Sequence, residues 1–227
     1  LKIPSTIKTI FFDLDNTLID RDGAMKAGME HWLKTQGTVH EANVDTELGI
    51  ILEKDNSGYT DRYLFCDWLL DTYANNATKA KTHLELFREL QELTISYLQS
   101  NPQLISVLEQ LRLKYRLMIA TNGSQYIQQK KIAQSKLDSL FLPEQVYISE
   151  NIGYNKPQAG FYEHILKSLN TTPEECLMVG DNYANDIEGA KHCGLYTCWI
   201  DHKQTSAINT ADLIFKNSIE TAQWLLA

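Results

Sequence analysis

The feature that most constrains this chain is a gap between two strands. Residues 7–12 read Ile-Lys-Thr-Ile-Phe-Phe, a short and mostly apolar run suited to a buried parallel strand. The next comparable run is Arg116-Leu117-Met118-Ile119-Ala120. About a hundred residues lie between them, against roughly thirty for an ordinary strand–helix–strand unit. A large insert therefore separates the first strand from the second.

The insert carries helical periodicity. Met25, Gly28, Met29, Trp32 and Leu33 recur at helical spacing, as do Val44, Leu48, Ile51 and Leu52. Leu64, Phe65, Trp68, Leu69 and Tyr73 form a third stripe, and Leu86, Leu90, Leu93 and Tyr97 a fourth. Asp55-Asn56-Ser57-Gly58 and Asn75-Asn76 read as loops between them. Four amphipathic helices predict a small bundle whose aromatic and Met stripes form its core.

After Ser100 strands and helices alternate. Asn101-Pro102 fits an N-cap followed by proline at the first helical position, and Leu104, Ile105, Val107, Leu108 and Leu111 give that helix its buried face. A strand at 116–120, a helix at 124–135, a strand at 145–148 and a helix at 158–169 come next. Thr172-Pro173-Glu174-Glu175 fits a capping box. Then come a strand at 176–179, a helix near 184–193, strands at 195–199 and 212–215, and a last helix. The pattern predicts an α/β fold, a Rossmann-like doubly wound parallel sheet with helices on both faces. This core spans residues 1–17 and 101–227, and the inserted four-helix domain spans 18–100.

Composition narrows the partners. With 43% hydrophobic and 22% charged residues among 227, the chain reads as an ordinary globular protein. Its formal charge of −8 would repel a nucleic-acid polymer or an anionic membrane, and no basic cluster exceeds the Lys130-Lys131 pair. Cys66, Cys176, Cys193 and Cys198 lack metal-site spacing and read as free thiols in a reducing compartment. The first residues lack a basic region followed by an uninterrupted apolar stretch, and no apolar run is long enough to span a bilayer. These features predict a cytoplasmic protein. Monomer and homodimer both remain open.

In open parallel sheets, ligands bind beyond the carboxyl ends of the strands. Here the first strand ends in Asp13-x-Asp15-x-Thr17, the second in Thr121-Asn122-Gly123, and another in Gly180-Asp181-Asn182, with Asp186 five residues after Asp181. Lys156 lies in Tyr154-Asn155-Lys156-Pro157, before a helix. Taken singly, Thr121-Asn122-Gly123 fits a plain turn and Lys156 a surface lysine; the grouping at strand ends singles them out. Asp13, Asp15 and Asp181 crowded together need a counter-charge. Mg²⁺ supplies one and prefers hard oxygen ligands. A phosphate monoester would then be drawn in, with the Thr121 hydroxyl and the Asn122 and Gly123 amides donating to its oxygens. One aspartate can attack phosphorus while the other serves as general acid and base. The six histidines match no catalytic spacing.

These four motifs, in this order, resemble those of the haloacid dehalogenase superfamily, and within it the phosphatases with a helical cap between the first and second motifs. The resemblance covers the whole chain. It implies Asp13 as nucleophile, Asp15 as general acid/base, Thr121 as phosphate binder and Lys156 as the balancing cation. It also implies Mg²⁺ held by the Asp13 side chain, the Asp15 carbonyl and Asp181. Asp186 is left between two roles, on a metal-bound water or on Lys156. The expected activity is a Mg²⁺-dependent phosphomonoesterase acting on a small phosphorylated metabolite. A mutase of the β-phosphoglucomutase type and a non-catalytic phosphometabolite-binding protein are the alternatives. The chain resembles the N-acylneuraminate-9-phosphatase and pyrimidine 5′-nucleotidase groups equally, so a sugar phosphate and a nucleoside monophosphate both stand. Asp20, Arg21, Tyr59, Arg62 and Tyr63 are the inserted residues that could select between them, although packing or surface roles fit each as well.

Overall fold

The computed structural model describes residues 3–204 and 210–227. In chain order the regular elements are β1 (Thr9–Phe12), α1 (Arg21–Gln36), α2 (Val44–Asp55), α3 (Arg62–Thr72), α4 (Asn76–Lys79), α5 (His83–Ser96) and α6 (Pro102–Leu111). Next along the chain are β2 (Arg116–Thr121), α7 (Gln125–Gln134), β3 (Val146–Ile148), α8 (Ser149–Ile152), α9 (Ala159–Leu169), β4 (Cys176–Gly180), α10 (Gly189–His192), β5 (Tyr196–Ile200), β6 (Leu213–Phe215) and α11 (Ser218–Leu226). The chain divides into two compact units, one formed by Leu1–Ile19 with Ser100–Ala227 and the other by Asp20–Gln99.

The first unit is built on a parallel sheet. Among the described residues it has six strands in the order β3-β2-β1-β4-β5-β6. Its central strands are mostly apolar because both faces are covered. Ile10 lies between Leu117 and Leu177, and Phe12 between Ile119 and Val179, all buried. Phe11, Met118 and Met178 point to the opposite face, against Phe161, Tyr162 and Ile165 of α9 and Ala190 of α10. The chain winds outward from β1 to β2 and β3, then returns to β4 on the other side. The reversal puts the carboxyl end of β1 at the topological switch point, where this architecture binds ligands.

The second unit is helical and has its own core. Met25, Met29, Trp32 and Leu33 of α1 pack with Leu48 and Ile51 of α2, Phe65, Cys66 and Leu69 of α3, and Leu86 and Leu90 of α5. Thr82 and Glu85 form a reciprocal capping box that starts α5.

Several local expectations are corrected. Leu64 lies outside the buried stripe of α3, with 68% of its surface exposed, and Cys66 takes the inward position. Asn75 caps the single-turn helix α4 rather than sitting in a plain loop. Thr172 makes no side-chain cap, and residues 173–175 form one 3-10 turn that leads directly into β4. Pairing of Cys176–Gly180 with β1 overrides the local capping signal there. The helix expected near 184–193 begins as a π-helical segment, Tyr183–Glu188, before α10. Asn101 does cap α6, its Oδ1 accepting from the Leu104 amide at 3.0 Å. Among the described residues no helix is long and apolar enough to cross a membrane.

Candidate active site

Asp13 follows the last residue of β1, and its amide still donates to Val179 O at 2.9 Å. That bond carries β1 pairing one residue past the strand and fixes the Asp13 side chain at the sheet's carboxyl edge. Facing it is Lys156, only 3% exposed. Its ammonium donates to Asp13 Oδ1 at 2.6 Å, Asp186 Oδ1 at 2.6 Å and Ala120 O at 2.7 Å, using all three protons. The Asn122 side chain anchors the lysine's backbone. The Lys156 amide donates to Asn122 Oδ1 at 2.9 Å, and Asn122 Nδ2 donates to Lys156 O at 2.9 Å. The peptide bond from Lys156 to Pro157 is cis.

Asp186 is fully buried and accepts from the Asn182 amide at 3.1 Å as well as from Lys156. It bonds Lys156 directly, one of the two roles open to it. Its place depends on Gly180, where a Cβ atom would stand 2.2 Å from Asp186 Oδ2. Asp181 is oriented from two sides. Trp199 Nε1 donates to its carbonyl at 2.9 Å, and Thr17 Oγ1 donates to its carboxylate at 3.4 Å.

Asp13, Asp181 and Asp186 each offer a carboxylate oxygen, and these oxygens lie within 4.8 Å of one another. Burial pushes the Asp13 carboxyl up to about 7, with Lys156 pulling it down and Asp186 pushing it up. Burial, then the Asp13 and Asp186 charges, raise Asp181 to about 8. Asp186 is raised too, by burial against the pull of Lys156. Burial by itself would lower the pKa of Lys156, but the carboxylates of Asp13 and Asp186 more than offset that and raise it. The site thus carries several acids around one cation. Three hard oxygen donors short of positive charge fit Mg²⁺.

Asp15 stands apart from this cluster. Its carboxylate oxygens accept from Lys131 Nζ at 2.8 and 2.7 Å, and Oδ2 also accepts from Gln128 Nε2 at 3.2 Å. Thr121, at the end of β2, accepts from Gln128 Nε2 at 2.7 Å. Gly123 has φ +135°, a conformation side chains rarely adopt, and its amide donates to Ser149 Oγ at 3.0 Å. Ser124 then caps α7. The structure therefore brings buried Asp13, Lys156 and Asp186 into one group with half-buried Asp181. Thr121 ends β2, and Asp15, Asn122 and Gly123 lie on the adjoining loops.

Four further residues brace the site: Gln128 and Lys131 bond Asp15, Gln128 also bonds Thr121, Ser149 accepts from Gly123, and Trp199 bonds Asp181. A sequence signal existed for two of them. Gln128 and Lys131 fall on the stripe marked by Ile127 and Ile132, where helical periodicity calls for apolar residues. In the helical unit, the residues considered for substrate choice are already engaged. Arg21 and Arg62 both donate to Asp55, at 2.5 and 2.6 Å. Asp20 caps α1 through the Gly23 amide. Tyr63 packs edge-on against His83, and Tyr59 is exposed.

A family profile described as haloacid dehalogenase-like hydrolase matches residues 7–194. The chain belongs to this hydrolase family. Similar relatives of the haloacid dehalogenase-like chain include a glyceraldehyde 3-phosphate phosphatase of Pyrococcus abyssi, 32% identical over 86% of this chain and 82% of that protein. The human N-acylneuraminate-9-phosphatase is 27% identical over 87% and 84%. A pyrimidine 5′-nucleotidase of Streptococcus pneumoniae is 31% identical over 85% and 83%. Within the family the chain thus groups with enzymes named for hydrolysing phosphate monoesters. Its fold is similar to that of the magnesium-bound putative hydrolase YfnB of Bacillus subtilis, with a TM-score of 0.77 at 20% identity over 96% of this chain and 98% of that one.

Proposed function

We propose that this chain is a Mg²⁺-dependent phosphomonoesterase that works through a phosphoaspartyl intermediate on Asp13. The observation that carries the reading is the pairing of a strand-end aspartate with a buried, fully committed lysine, Lys156, with a second aspartate, Asp15, two residues on. Asp13, Asp181 and the Asp15 carbonyl would hold the ion, with Asp186 beside it. When bound, Mg²⁺ would offset carboxylate repulsion and neutralise charge on the transferring phosphoryl group.

The chain's own groups supply the remaining steps. An Asp13 carboxylate oxygen attacks phosphorus, and the phosphorus–oxygen bond to the leaving group breaks. The Asp15 carboxyl gives its proton to that leaving oxygen. Water then attacks the acyl phosphate, and Asp15 takes up the water's proton. Inorganic phosphate leaves and the Asp13 carboxylate is restored. Lys156 holds Asp13 in place and balances charge, while Thr121 and the Asn122-Gly123 loop donate to the phosphoryl oxygens.

The relatives act on three different phosphate esters by name, at similar identities, so the substrate class we assign is a small phosphorylated metabolite, sugar phosphate or nucleoside monophosphate. We place substrate choice in the helical unit Asp20–Gln99. The test is phosphate release from glyceraldehyde 3-phosphate, N-acetylneuraminate 9-phosphate and pyrimidine nucleoside 5′-monophosphates, with Mg²⁺ or chelator. Metal-dependent release that Asp13→Asn abolishes is the expected result. Release that survives Asp13→Asn, or no release from any ester, would overturn the reading.

A further inference from the structure

Helix α7 turns two polar side chains toward the site, and the proposed reaction uses neither of them. Gln128 is 1% exposed. A buried amide costs stability unless its protons find acceptors. Here Nε2 reaches Thr121 Oγ1 at 2.7 Å, Asn122 O at 3.0 Å and Asp15 Oδ2 at 3.2 Å. Lys131, one helical turn on, places Nζ 2.8 and 2.7 Å from the two oxygens of Asp15, with 13% of its side chain exposed. Residues three apart share one helix face, so both groups come from one rigid element.

We propose that Lys131 and Gln128 are positioning residues, Lys131 for the acid–base carboxyl of Asp15 and Gln128 for the phosphate-binding hydroxyl of Thr121. The assignment rests on the phosphomonoesterase reading and deepens it. A carboxylate tethered through one oxygen can still rotate about its Cβ–Cγ bond. Lys131 grips both oxygens and Gln128 adds a third contact, so rotation is blocked. Proton transfer to a leaving oxygen needs the carboxyl within hydrogen-bond reach, and a drift of about 1 Å costs on the order of a hundredfold.

Gln128 acts differently on Thr121. A hydroxyl has one proton to give. Gln128 Nε2 occupies its acceptor side, so the proton is what remains for a partner. The acceptor it has is Asn122 O, at a long 3.3 Å. A phosphate oxygen, being charged, is the stronger acceptor and would take that proton. Ser124 starts α7 directly after the Thr121-Asn122-Gly123 loop, so the helix after the phosphate loop also fixes the acid–base group at the end of β1.

The test uses the full chain with Mg²⁺ and two near-isosteric variants, Lys131→Met and Gln128→Leu. The first readout is kcat/KM for an alkyl phosphate and for p-nitrophenyl phosphate. An alkoxide needs a proton as it leaves, and p-nitrophenolate does not. With Lys131→Met, kcat/KM should fall about a hundredfold for the alkyl ester and by less than about threefold for the nitrophenyl ester, whose departure needs no general acid. An equal fall for both esters would mark a merely structural role and overturn the assignment, as would no fall for either. The second readout is calorimetric binding of inorganic phosphate. Gln128→Leu should weaken it about tenfold, the worth of one charge-assisted hydrogen bond, while Lys131→Met leaves it unchanged. Unchanged binding in Gln128→Leu would overturn the role of Gln128. Wild-type protein that hydrolyses neither ester nor any of the three phosphate esters named above would sink the phosphomonoesterase reading and the role of Lys131 with it, while phosphate binding would still decide Gln128.

Discussion

Gly180→Ala probes how closely the buried acid group is packed. The added Cβ would meet Asp186 Oδ2 at 2.2 Å, its Cγ at 2.3 Å and its Cβ at 2.5 Å. Real Cβ contacts essentially never fall below 3.0 Å, so something must move by at least about 0.8 Å. The Gly180 backbone is held in β4 between β1 and β5, so the side chain of Asp186 has to yield. A shift of that size stretches or breaks its 2.6 Å bond to Lys156 and its 3.1 Å bond from the Asn182 amide. Overpacking costs about 1–3 kcal/mol, and weakening a hydrogen bond to a charged group about 1.5–3 kcal/mol. The expected loss is therefore roughly 3 kcal/mol, or about 1 M in the urea midpoint at a slope of about 3 kcal/mol per M. Phosphate release should fall as well, since Lys156 loses one of the two carboxylates that orient it. Gly49→Ala is the control. A Cβ there meets nothing within 4 Å, so removing a mid-helix glycine should stabilise by about 0.5–1 kcal/mol. A Gly180→Ala protein with the wild-type midpoint and full activity would refute the reasoning. It would show that Asp186 has another place to go.

Two further predictions concern buried charge. Asp55 is 1% exposed. Burial raises its carboxyl pKa, but hydrogen bonds and charge from Arg21 and Arg62 more than offset this and lower it. Its contribution is therefore fully present above the unfolded aspartate value near pH 3.9, and is lost as pH falls through the lower folded value. Thermal melts below about pH 4 should show this loss in the wild type and not in Asp55→Asn, whereas Asp55→Ala should cost about 3 kcal/mol at neutral pH because two guanidinium groups lose their shared carboxylate, although Arg21 keeps Asp22 and Arg62 keeps Thr60 O. Lys156→Met removes a cation bonded to both Asp13 and Asp186, and should lower kcat by about 100-fold or more. Circular dichroism on the same samples separates that loss from unfolding.

The strands that carry the site were legible because a strand buried on both faces is a continuous apolar run, and polar residues directly after such runs stand out. Thr9–Phe12, Arg116–Thr121 and Cys176–Gly180 all announce themselves this way. Lys156 was legible only by its company, since nothing in Tyr154-Asn155-Lys156-Pro157 says that the ammonium is buried. Gln128 and Lys131 were marked only by their place on the stripe of Ile127 and Ile132, a weak signal because polar residues on an amphipathic helix ordinarily mark its wet face. Here they sit on the inward stripe, and their partner Asp15 lies more than a hundred residues upstream. Thr172 erred the other way. Its local signal is that of a helix cap, but pairing of the next residues with β1 decided the outcome. The two guanidinium groups of Arg21 and Arg62 were readable as charges, but not as the flanks of a buried aspartate.

The position of β1 also has a consequence for synthesis. Among the six described strands, the one at the middle of the sheet leaves the ribosome before the other five. Its hydrogen-bonding neighbours are β2, which starts at Arg116, and β4, which starts at Cys176. At ordinary translation speeds the first neighbour emerges after roughly 5–20 s and the second later still. The stretch Thr9–Phe12 spends that interval as an unpaired, apolar strand with both edges open. The helical unit Asp20–Gln99 is contiguous and gathers its core from local contacts, so it can be complete while β1 still waits. Ribosome-bound chains halted between these stages would carry a finished bundle beside a sticky strand, the stage at which a chaperone has the most to protect.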